Sequence, residues 1–267
     1  MFENKVVIIT GGGSGIGKEM CLYLAKQKAK IVIADINLDQ ANDTAKEVRE
    51  FGADCLVKYA DVANQDYVEK IVKETKDSFN RIDLMINNAG IGLDGEFKDM
   101  TLEHWKKIID INLWGAIYGT YAVYPIMMEQ GYGQIVNVSS LAGLIPGGLM
   151  SSYVATKHAL VGFSLSLRAE ANQYGIKVNA LCPGFIETPI HDRTLKVSEY
   201  LRSEKNQRNK NRFPTANECI HGMMRGIAKN KAIILVPRSH KVFWWINRLC
   251  PSLVPYAWGK IINRLKK

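Results

Sequence analysis

The feature that most constrains this chain is a regular alternation of short apolar runs with longer amphipathic stretches. Each run is at most seven residues long and rich in β-branched or other apolar side chains. Such runs are typical of strands that are buried on both faces of a parallel sheet. The predicted strands are Val6–Thr10, Ile31–Asp35, Cys55–Asp61, Ile82–Asn87, Gln134–Ser140, Lys177–Cys182 and Ala232–Pro237.

Helical patterns separate these runs. In the second of the intervening stretches, Ala41, Ala45 and Val48 share one face, and charged residues occupy the other. Strands that alternate with helices form right-handed βαβ units. We therefore predict an α/β fold with a doubly wound, seven-stranded parallel sheet and helices on both faces. The clearest predicted helices are Leu38–Phe51, Tyr67–Phe79, Leu102–Glu129 and Ser152–Tyr174.

The length of 267 residues suits one large α/β domain. We predict this domain over residues 1–238, with a polar, charge-rich excursion over 191–213 and a compositionally distinct tail over 239–267. The chain enters its first strand at Lys5 without a charged-then-apolar leader. No run approaches the roughly 18 apolar residues that span a bilayer.

The positive charge is concentrated at the end of the chain. The formal net charge is +9, and seven cations with no acidic residue lie from Arg238 onward, which leaves the rest at only +2. A nucleic-acid-binding protein would more often spread its cations over a reading surface, so no nucleic-acid partner is expected. The five cysteines include no Cys-x-x-Cys pair, which favours reduced thiols in a cytoplasmic protein. The five histidines lack ligand spacing, and no metal site is predicted.

A glycine-rich turn follows the first predicted strand and opens a helix. It reads TGGGSGIG over Thr10–Gly17 and fits T-G-x-x-x-G-x-G, not G-x-G-x-x-G, because Ile16 stands where the last glycine would be. Such glycines allow a tight turn and let the backbone approach a pyrophosphate at a helix N-terminus. The turn therefore indicates a dinucleotide-binding, Rossmann-type fold.

Asp35 ends the second predicted strand, 18 residues after Gly17. This offset is close to that of an acid that binds the adenosine ribose hydroxyls. A carboxylate at this point would repel the extra phosphate of NADP. The chain has Ser14 and Ile36 at the neighbouring positions, and no Arg or Lys there that would offset this repulsion. We therefore expect NAD as the cofactor. The alternative is a solvated Asp that starts a turn at the end of a strand.

Three polar residues indicate proton transfer. Ser140 ends a predicted strand, and Tyr153 and Lys157 follow four residues apart, on one face of a predicted helix. A free tyrosine, with a pKa of about 10, is a poor base near neutral pH. A nearby ammonium should lower that pKa and make Tyr153 suited to an alcohol or carbonyl oxygen.

Together these motifs resemble the short-chain dehydrogenase/reductase family over about residues 3–238. The order of the motifs along the chain makes the resemblance specific. The matching segments are TGGGSGIG at Thr10–Gly17, Asp61-Val62, NNAG at Asn87–Gly90, Asn112, VNVSS ending at Ser140, YVATK at Tyr153–Lys157 and PGFIET at Pro183–Thr188.

The resemblance implies a role for each matched residue. Tyr153 would be the acid/base, Lys157 would hold the nicotinamide ribose, and Ser140 would hydrogen-bond the substrate oxygen. Asn112 would support a water in a proton relay toward Lys157. The expected cofactor-binding residues are Gly11, Ser14, Gly15, Ile16, Gly17, Asp35, Asp61, Val62, Asn88, Ala89, Gly90, Tyr153, Lys157, Pro183, Gly184, Ile186 and Thr188.

Two segments near these motifs bear on the substrate. Leu141–Met150 contains no charged residue and, by the resemblance, would wall the substrate site. An uncharged wall favours an apolar substrate over a sugar phosphate. The stretch His191–Arg212 would be either a mobile lid over the site or a solvated surface loop.

The leading hypothesis is an NAD(H)-dependent oxidoreductase of apolar secondary alcohols and ketones or aldehydes, such as steroids, lipid-derived alcohols or retinoid-like molecules. A 3-oxoacyl-carrier-protein reductase is a second hypothesis, although that role usually uses NADPH. A third is a catalytically silent nucleotide-sensing or scaffold protein. The resemblance also implies a homo-oligomer, paired through Leu102–Glu129 and Ser152–Tyr174.

The tail carries two apolar stripes at helical spacing. The first is Val242, Trp245, Ile246 and Leu249, and the second is Trp258, Ile261, Ile262 and Leu265. Apolar stripes, tryptophans and a cationic face are typical of a helix that lies in an anionic membrane surface. Peripheral membrane contact is therefore one hypothesis. The other is that the tail packs on the subunit interface or closes the substrate pocket.

Overall fold

Residues 2–203 and 213–266 are described by a computed structural model. Its strands are numbered in chain order. They are β1 Val6–Thr10, β2 Lys30–Asp35, β3 Cys55–Tyr59, β4 Leu84–Asn87, β5 Leu93–Asp94, β6 Gly133–Val138, β7 Ile176–Pro183, β8 Leu195–Lys196 and β9 Ile233–Val236.

The α-helices connect and follow these strands. They are α1 Gly15–Lys26, α2 Leu38–Glu50, α3 Gln65–Phe79, α4 Leu102–Ile109, α5 Gly115–Gln130, α6 Ser151–Ala171, α7 Ile190–Arg193, α8 Glu199–Ser203, α9 Ala216–Ala228, α10 Lys241–Leu249 and α11 Leu253–Leu265.

Seven parallel strands form the main sheet in the order β3-β2-β1-β4-β6-β7-β9. The strand order reverses at β1, which pairs with β2 on one side and with β4 on the other. Neighbouring connections leave such a point in opposite directions, and the carboxyl ends of the two strands border a crevice. The predicted doubly wound, seven-stranded parallel sheet is confirmed.

The core lies in two layers, one on each face of the sheet. Val7 and Ile9 of β1 pack with α1, α2 and α9, whereas Ile8 packs with α3 and α5. This alternation follows from the two-residue period of a strand, and burial of both faces explains why β1 has no polar alternation. All four residues from Val6 to Ile9 are at most 1% exposed.

The predicted helix over Leu102–Glu129 is wrong in one respect. A π-helical turn over Asp110–Trp114 separates α4 from α5, and Asn112 lies within it. A π turn inserts an extra residue, and such turns are frequent at functional sites. The helical pattern runs through the turn, so hydrophobic periodicity alone gives one long helix.

The excursion over 191–213 begins as ordered structure. It contains part of α7, then β8 and α8, and Leu195 of β8 pairs with Leu93 of β5 in a two-stranded parallel ribbon. Val197 and Ser198 are buried. This part packs on the fold, and so the solvated-loop alternative is wrong for it. Residues 204–212 of the predicted excursion lie outside the described residues.

The tail forms α10 and α11, which both pack on the segment 144–148. Trp244 joins the cluster around Leu144 and Ile145, and the Asn247 amide donates to the Leu144 carbonyl over 3.4 Å. A methyl group on Gly148 would lie 3.0 Å from Trp258 and 3.1 Å from Ile262. Among the described residues, no helix is long and apolar enough to cross a membrane.

The two predicted stripes of the tail have different surroundings. In α11, Trp258 and Ile262 face the rest of the chain, so for this stripe the packing alternative is the better one. The α10 stripe is exposed along its length, because Trp244 and Asn247 provide the inward contacts.

Candidate active site

The glycine turn after β1 is built by close backbone approach. Gly11 and Gly15 have φ angles of +65° and +53°, a region that side chains disfavour. Gly17 approaches the turn so closely that a methyl group on it would lie 2.1 Å from the Gly11 carbonyl oxygen. The N-terminus of α1 has no acidic residue in its first turn, and the Ser14 side chain does not cap it. Its amides are therefore available to an anion.

Asn88 fastens this turn to the end of β4. Its backbone amide donates to Thr10 Oγ1 over 3.0 Å, and its side-chain amide donates to the carbonyls of Thr10 and Gly11 over 3.0 and 3.1 Å. The Ala89 amide also donates to Thr10 Oγ1, over 3.1 Å. The predicted residues Asn88 and Ala89 thus lie beside the glycine turn, in the crevice between β1 and β4.

Asp35 lies at the end of β2 and is only 9% exposed. One carboxylate oxygen accepts from the Gly13 amide over 2.8 Å, and the other accepts from the Asn37 amide over 2.9 Å. The description as a solvated Asp at a strand end is therefore wrong, because both oxygens hold backbone amides. The carboxylate places a negative charge directly against the glycine turn.

Other predicted nucleotide-end residues border the same crevice. Val62 is buried against Gly115 of α5, and the Asp61 carboxylate accepts from the Ala63 amide over 3.0 Å. Thr188 reaches the glycine turn from the far side, since a methyl group on Gly15 would lie 3.7 Å from it.

The segment after β7 approaches the crevice along the same edge. The Gly184 amide donates to the Val236 carbonyl over 2.8 Å, directly after Pro183. Ile186 is buried, and its carbonyl contacts His191 Nε2 at 3.0 Å. Ile16 of the glycine turn packs against the core cluster that contains Ile186, so the turn and this segment lie side by side.

The arrangement fits a nicotinamide dinucleotide. Uncapped amides at α1 suit the pyrophosphate, the left-handed glycines leave room for it, and a carboxylate lies where ribose hydroxyls need an acceptor. Bound there, the dinucleotide supplies the nicotinamide that gives or takes a hydride.

Ser140, Tyr153 and Lys157 come together at the carboxyl end of β6. Ser140 follows the strand, and its hydroxyl oxygen accepts from the Ala142 amide over 3.1 Å. The Ser140 hydroxyl lies close enough to the Tyr153 phenol to lower its pKa. One helical turn further, the Lys157 ammonium donates to the Val138 carbonyl over 2.9 Å and lies 5.6 Å from the centre of the Tyr153 ring.

The pKa values at this cluster differ from the expectation. Burial raises the pKa of Tyr153, and the contact with Ser140 lowers it only in part. Burial also lowers the pKa of Lys157 to about 8. The expectation that Lys157 lowers the Tyr153 pKa is wrong for this arrangement, because the ammonium points to the Val138 carbonyl. Tyr153 is therefore a protonated acid at neutral pH.

Asn112 braces the turn that follows β4. Its side-chain oxygen accepts from the Ile91 amide over 2.8 Å, and its side-chain nitrogen donates to the Ile91 carbonyl over 3.0 Å. It is 1% exposed. A methyl group on Gly90 would lie 3.1 Å from the Asn112 oxygen and 3.5 Å from the Lys157 nitrogen. Gly90 thus lies beside both Asn112 and Lys157.

Comparison with known proteins agrees with this geometry. The family model for short chain dehydrogenase matches residues 5–197. The chain belongs to the short-chain dehydrogenase family. It is therefore an oxidoreductase that acts on CH–OH groups or the matching carbonyls with a nicotinamide dinucleotide.

Individual members of this family resemble the chain over most of its length. Cyclohexanol dehydrogenase of Acinetobacter sp. (strain SE19) is 37% identical over 190 residues, which cover 71% of this chain and 76% of the relative. The 11-beta-hydroxysteroid dehydrogenase-like 2 protein of Arabidopsis thaliana is 34% identical over 263 residues, 96% of this chain and 82% of the relative.

A solved structure gives the same result. A short-chain dehydrogenase/reductase from Burkholderia phymatum, in complex with NAD, superposes with a TM-score of 0.85 at 26% identity. The match covers 94% of this chain and 95% of that one.

Sequence reasoning missed several residues of this dehydrogenase that border the site. Arg193 of α7 contacts Ser14 Oγ at 3.4 Å and Gln40 Oε1 at 3.2 Å, so a cation lies over the glycine turn. In the sequence, such a cation would be sought only at positions 14 and 36, whereas Arg193 follows Ser14 by 179 residues. No local motif marks it.

The substrate side also has contributors that no motif marks. Val197 of the excursion and Leu93 share a buried cluster against which Tyr153 packs. The tail adds Trp258 and Ile262 behind Gly148. Cys182, at the end of β7, is buried close to Lys157, and burial raises the pKa of its thiol to about 12. The thiol therefore stays neutral and acts as a packing group.

The glycine turn gives a testable pair of variants. Gly17→Ala should destabilise the protein by about 2 kcal/mol, or roughly 4–8 °C in Tm, because the methyl group would overlap the Gly11 carbonyl. Gly162→Ala in α6 is the matched control, since nothing lies within 4 Å of its methyl group. It should leave Tm unchanged or raise it, as alanine is the better helix former. Thermal unfolding and NADH titration measure both, and unchanged NADH affinity in Gly17→Ala would contradict the assignment of the turn.

Proposed function

We propose that this dehydrogenase interconverts an apolar secondary alcohol and its ketone or aldehyde with NAD(H). The observation that carries the proposal is the cluster of Ser140, Tyr153 and Lys157 at the carboxyl end of β6, in which Lys157 is buried one helical turn from Tyr153. These groups can bind and protonate one oxygen atom from adjacent positions. A catalytically silent scaffold would not need a buried lysine at this point, where burial opposes its charge.

In the direction of reduction, Tyr153 donates its proton to the carbonyl oxygen while Ser140 donates a hydrogen bond to the same oxygen. Lys157, one helical turn from Tyr153, would bind the nicotinamide ribose. Asn112 keeps Ile91 and Gly90 in place beside Lys157 and supports a water that returns a proton. Oxidation uses the same groups in reverse.

The proposed cofactor preference rests on Asp35. Its carboxylate lies against the glycine turn and would repel a phosphate on the adenosine ribose. Arg193 contacts Ser14 at the opening of α1, and we assign it to the pyrophosphate, which NAD and NADP share. For the other predicted cofactor-binding residues, we propose the same contacts with the dinucleotide that the family resemblance implies.

The proposed substrate is apolar because the wall next to Tyr153 is apolar. Leu141–Met150 carries no charge, and Trp258 and Ile262 of the tail support it from behind. The names of the relatives, a cyclohexanol dehydrogenase and a hydroxysteroid dehydrogenase-like protein, point to alicyclic alcohols. Cyclohexanol and a hydroxysteroid are therefore the first substrates to assay.

Two properties of the whole protein complete the proposal. The five cysteines are free thiols, of which Cys21, Cys182 and Cys219 are buried, and this supports a reducing, cytoplasmic compartment. Exposed Tyr121 of α5 and Leu165 of α6 support a homo-oligomer that pairs through these helices.

Tyr153→Phe should lower turnover at least a hundredfold and leave NADH affinity nearly unchanged, because it removes one hydroxyl and little volume. Lys157→Ala should impair both turnover and NADH binding. Steady-state rates with cyclohexanol or a hydroxysteroid, together with NADH titration, test this. A Tyr153→Phe enzyme with more than about a tenth of the wild-type rate would refute the assignment.

The pH dependence of the wild-type reduction and oxidation rates tests the proton-transfer role of Tyr153 without a substitution that could damage the fold. Since burial raises the pKa of Tyr153, the phenol keeps its proton at neutral pH and reduction should be constant there. Oxidation needs the phenolate and should rise by about tenfold per pH unit below that pKa. The comparison is made below pH 8, because the pKa of Lys157 is about 8. An oxidation rate that falls with rising pH would count against Tyr153 as the base.

The wild-type enzyme should have a higher kcat/KM with NADH than with NADPH, and Asp35→Ala should weaken NADH binding and narrow that preference. Arg193→Gln is the comparison variant. It should weaken both cofactors equally if Arg193 binds the shared pyrophosphate, and only NADPH if it binds the additional phosphate. A wild-type enzyme that favours NADPH would overturn the proposed cofactor.

Light scattering at micromolar concentration should give a mass that is a multiple of the 29.9 kDa chain. Leu165→Glu should lower that mass, because it places a carboxylate in the proposed pairing surface. A monomeric wild-type protein would disprove the pairing.

A further inference from the structure

The α10 helix presents its apolar stripe away from the rest of the chain. Val242, Trp245, Ile246 and Leu249, here called the outer stripe, are between 38% and 75% exposed. At about 100° per residue, these four lie opposite Trp244 and Asn247, which provide the contacts to the segment 144–148. A helix that served only to cover the domain would turn its apolar stripe inward.

The α11 helix also turns an exposed side away from the rest of the chain, with a different composition. Its inward side carries Trp258 and Ile262, and the opposite side begins with exposed Leu253 and Tyr256. Exposed cations follow on that side, at Lys260 and Arg264. The Lys260 ammonium lies 4.6 Å from the centre of the Tyr256 ring. Apolar and aromatic side chains thus give way to cations along one side of the helix.

The charges indicate what covers this surface. Arg238, Lys241 and Arg248 flank the outer stripe, and no acidic residue occurs from Arg238 to the end of the sequence. A second copy of this chain would bring the same cations face to face across a symmetric contact, which is unfavourable. Anionic lipid headgroups would neutralise these cations, and the outer stripe would enter the acyl boundary.

We propose that the outer faces of α10 and α11 dock on an anionic membrane surface. The docked helices lie in the interface plane, with the tryptophan of the outer stripe at headgroup depth. This inference does not depend on the substrate or the cofactor of the enzyme.

Sedimentation of the full-length protein with vesicles tests the proposal. Wild-type protein should pellet with vesicles of phosphatidylcholine and phosphatidylserine at low salt, and the bound fraction should fall as salt rises. Pure phosphatidylcholine should bind it at least about tenfold more weakly, because the cations then have no partners. Protein that stays in the supernatant with the anionic vesicles would overturn the proposal.

A matched pair of variants locates the binding surface. Leu249→Ser alters the outer stripe, whereas Leu102→Ser alters a leucine of similar exposure at the start of α4, 75% against 86% exposed. The double variant Trp245→Ser/Leu249→Ser should lose about tenfold or more in vesicle affinity, and Leu102→Ser should bind as the wild type does. Equal binding by the wild type, Trp245→Ser/Leu249→Ser and Leu102→Ser would refute docking through the outer stripe.

Charge and self-association are tested in the same way. Lys241→Gln/Arg248→Gln should weaken binding to anionic vesicles by about tenfold or more, and Lys177→Gln, an exposed cation on β7, should have little effect. Light scattering without lipid provides the last comparison. If Trp245→Ser/Leu249→Ser splits an oligomer that the wild type forms, the outer stripe is a contact between copies and the membrane proposal is wrong. NADH-dependent activity in each variant shows that the fold is intact.

Discussion

The close approach of Gly11 and Gly17 is the constraint on which the nucleotide end depends. With no side chain between them, the chain turns directly from β1 into α1, and Asn88 can reach the Thr10 and Gly11 carbonyls. That contact joins the ends of β1 and β4, the two strands between which the strand order of the sheet reverses. Asp35 then completes the turn from the other side through Gly13. Backbone amides and one carboxylate, held by packing, thus form the site before any ligand arrives.

At the catalytic end, the properties of Lys157 and Tyr153 depend on their burial and not on close backbone contacts. Lys157 is 4% exposed, and the Val138 carbonyl is its hydrogen-bond partner. Burial works against its charge and against a phenolate on Tyr153, so both groups favour the states that carry less charge. A charged or strongly polar ligand beside them would change that balance. The protonation states of the two residues are therefore coupled to occupancy of the site.

Local patterns in the sequence carry much of this architecture. The seven strands and the motif residues could be predicted because apolar runs and glycine spacing are local signals, and every strand end agrees with the structure within two residues. The π turn at Asn112 could not be predicted, because one inserted residue leaves the apolar pattern helical. The β5–β8 ribbon consists of two-residue strands, too short for any periodicity. Arg193 over Ser14 depends on long-range packing that no spacing encodes.

Because the tail packs on the segment 144–148, the residues that react and the residues that support the pocket wall lie in different parts of the chain. Residues that handle the proton lie between Asn112 and Lys157, whereas the support behind Gly148 comes from Trp258 and Ile262, about a hundred positions later. Substitutions in α11 can thus reshape the pocket wall without touching a group that reacts. Selectivity can drift in evolution while the chemistry is held constant, and enzymes with identical motifs can diverge in substrate through their last thirty residues alone.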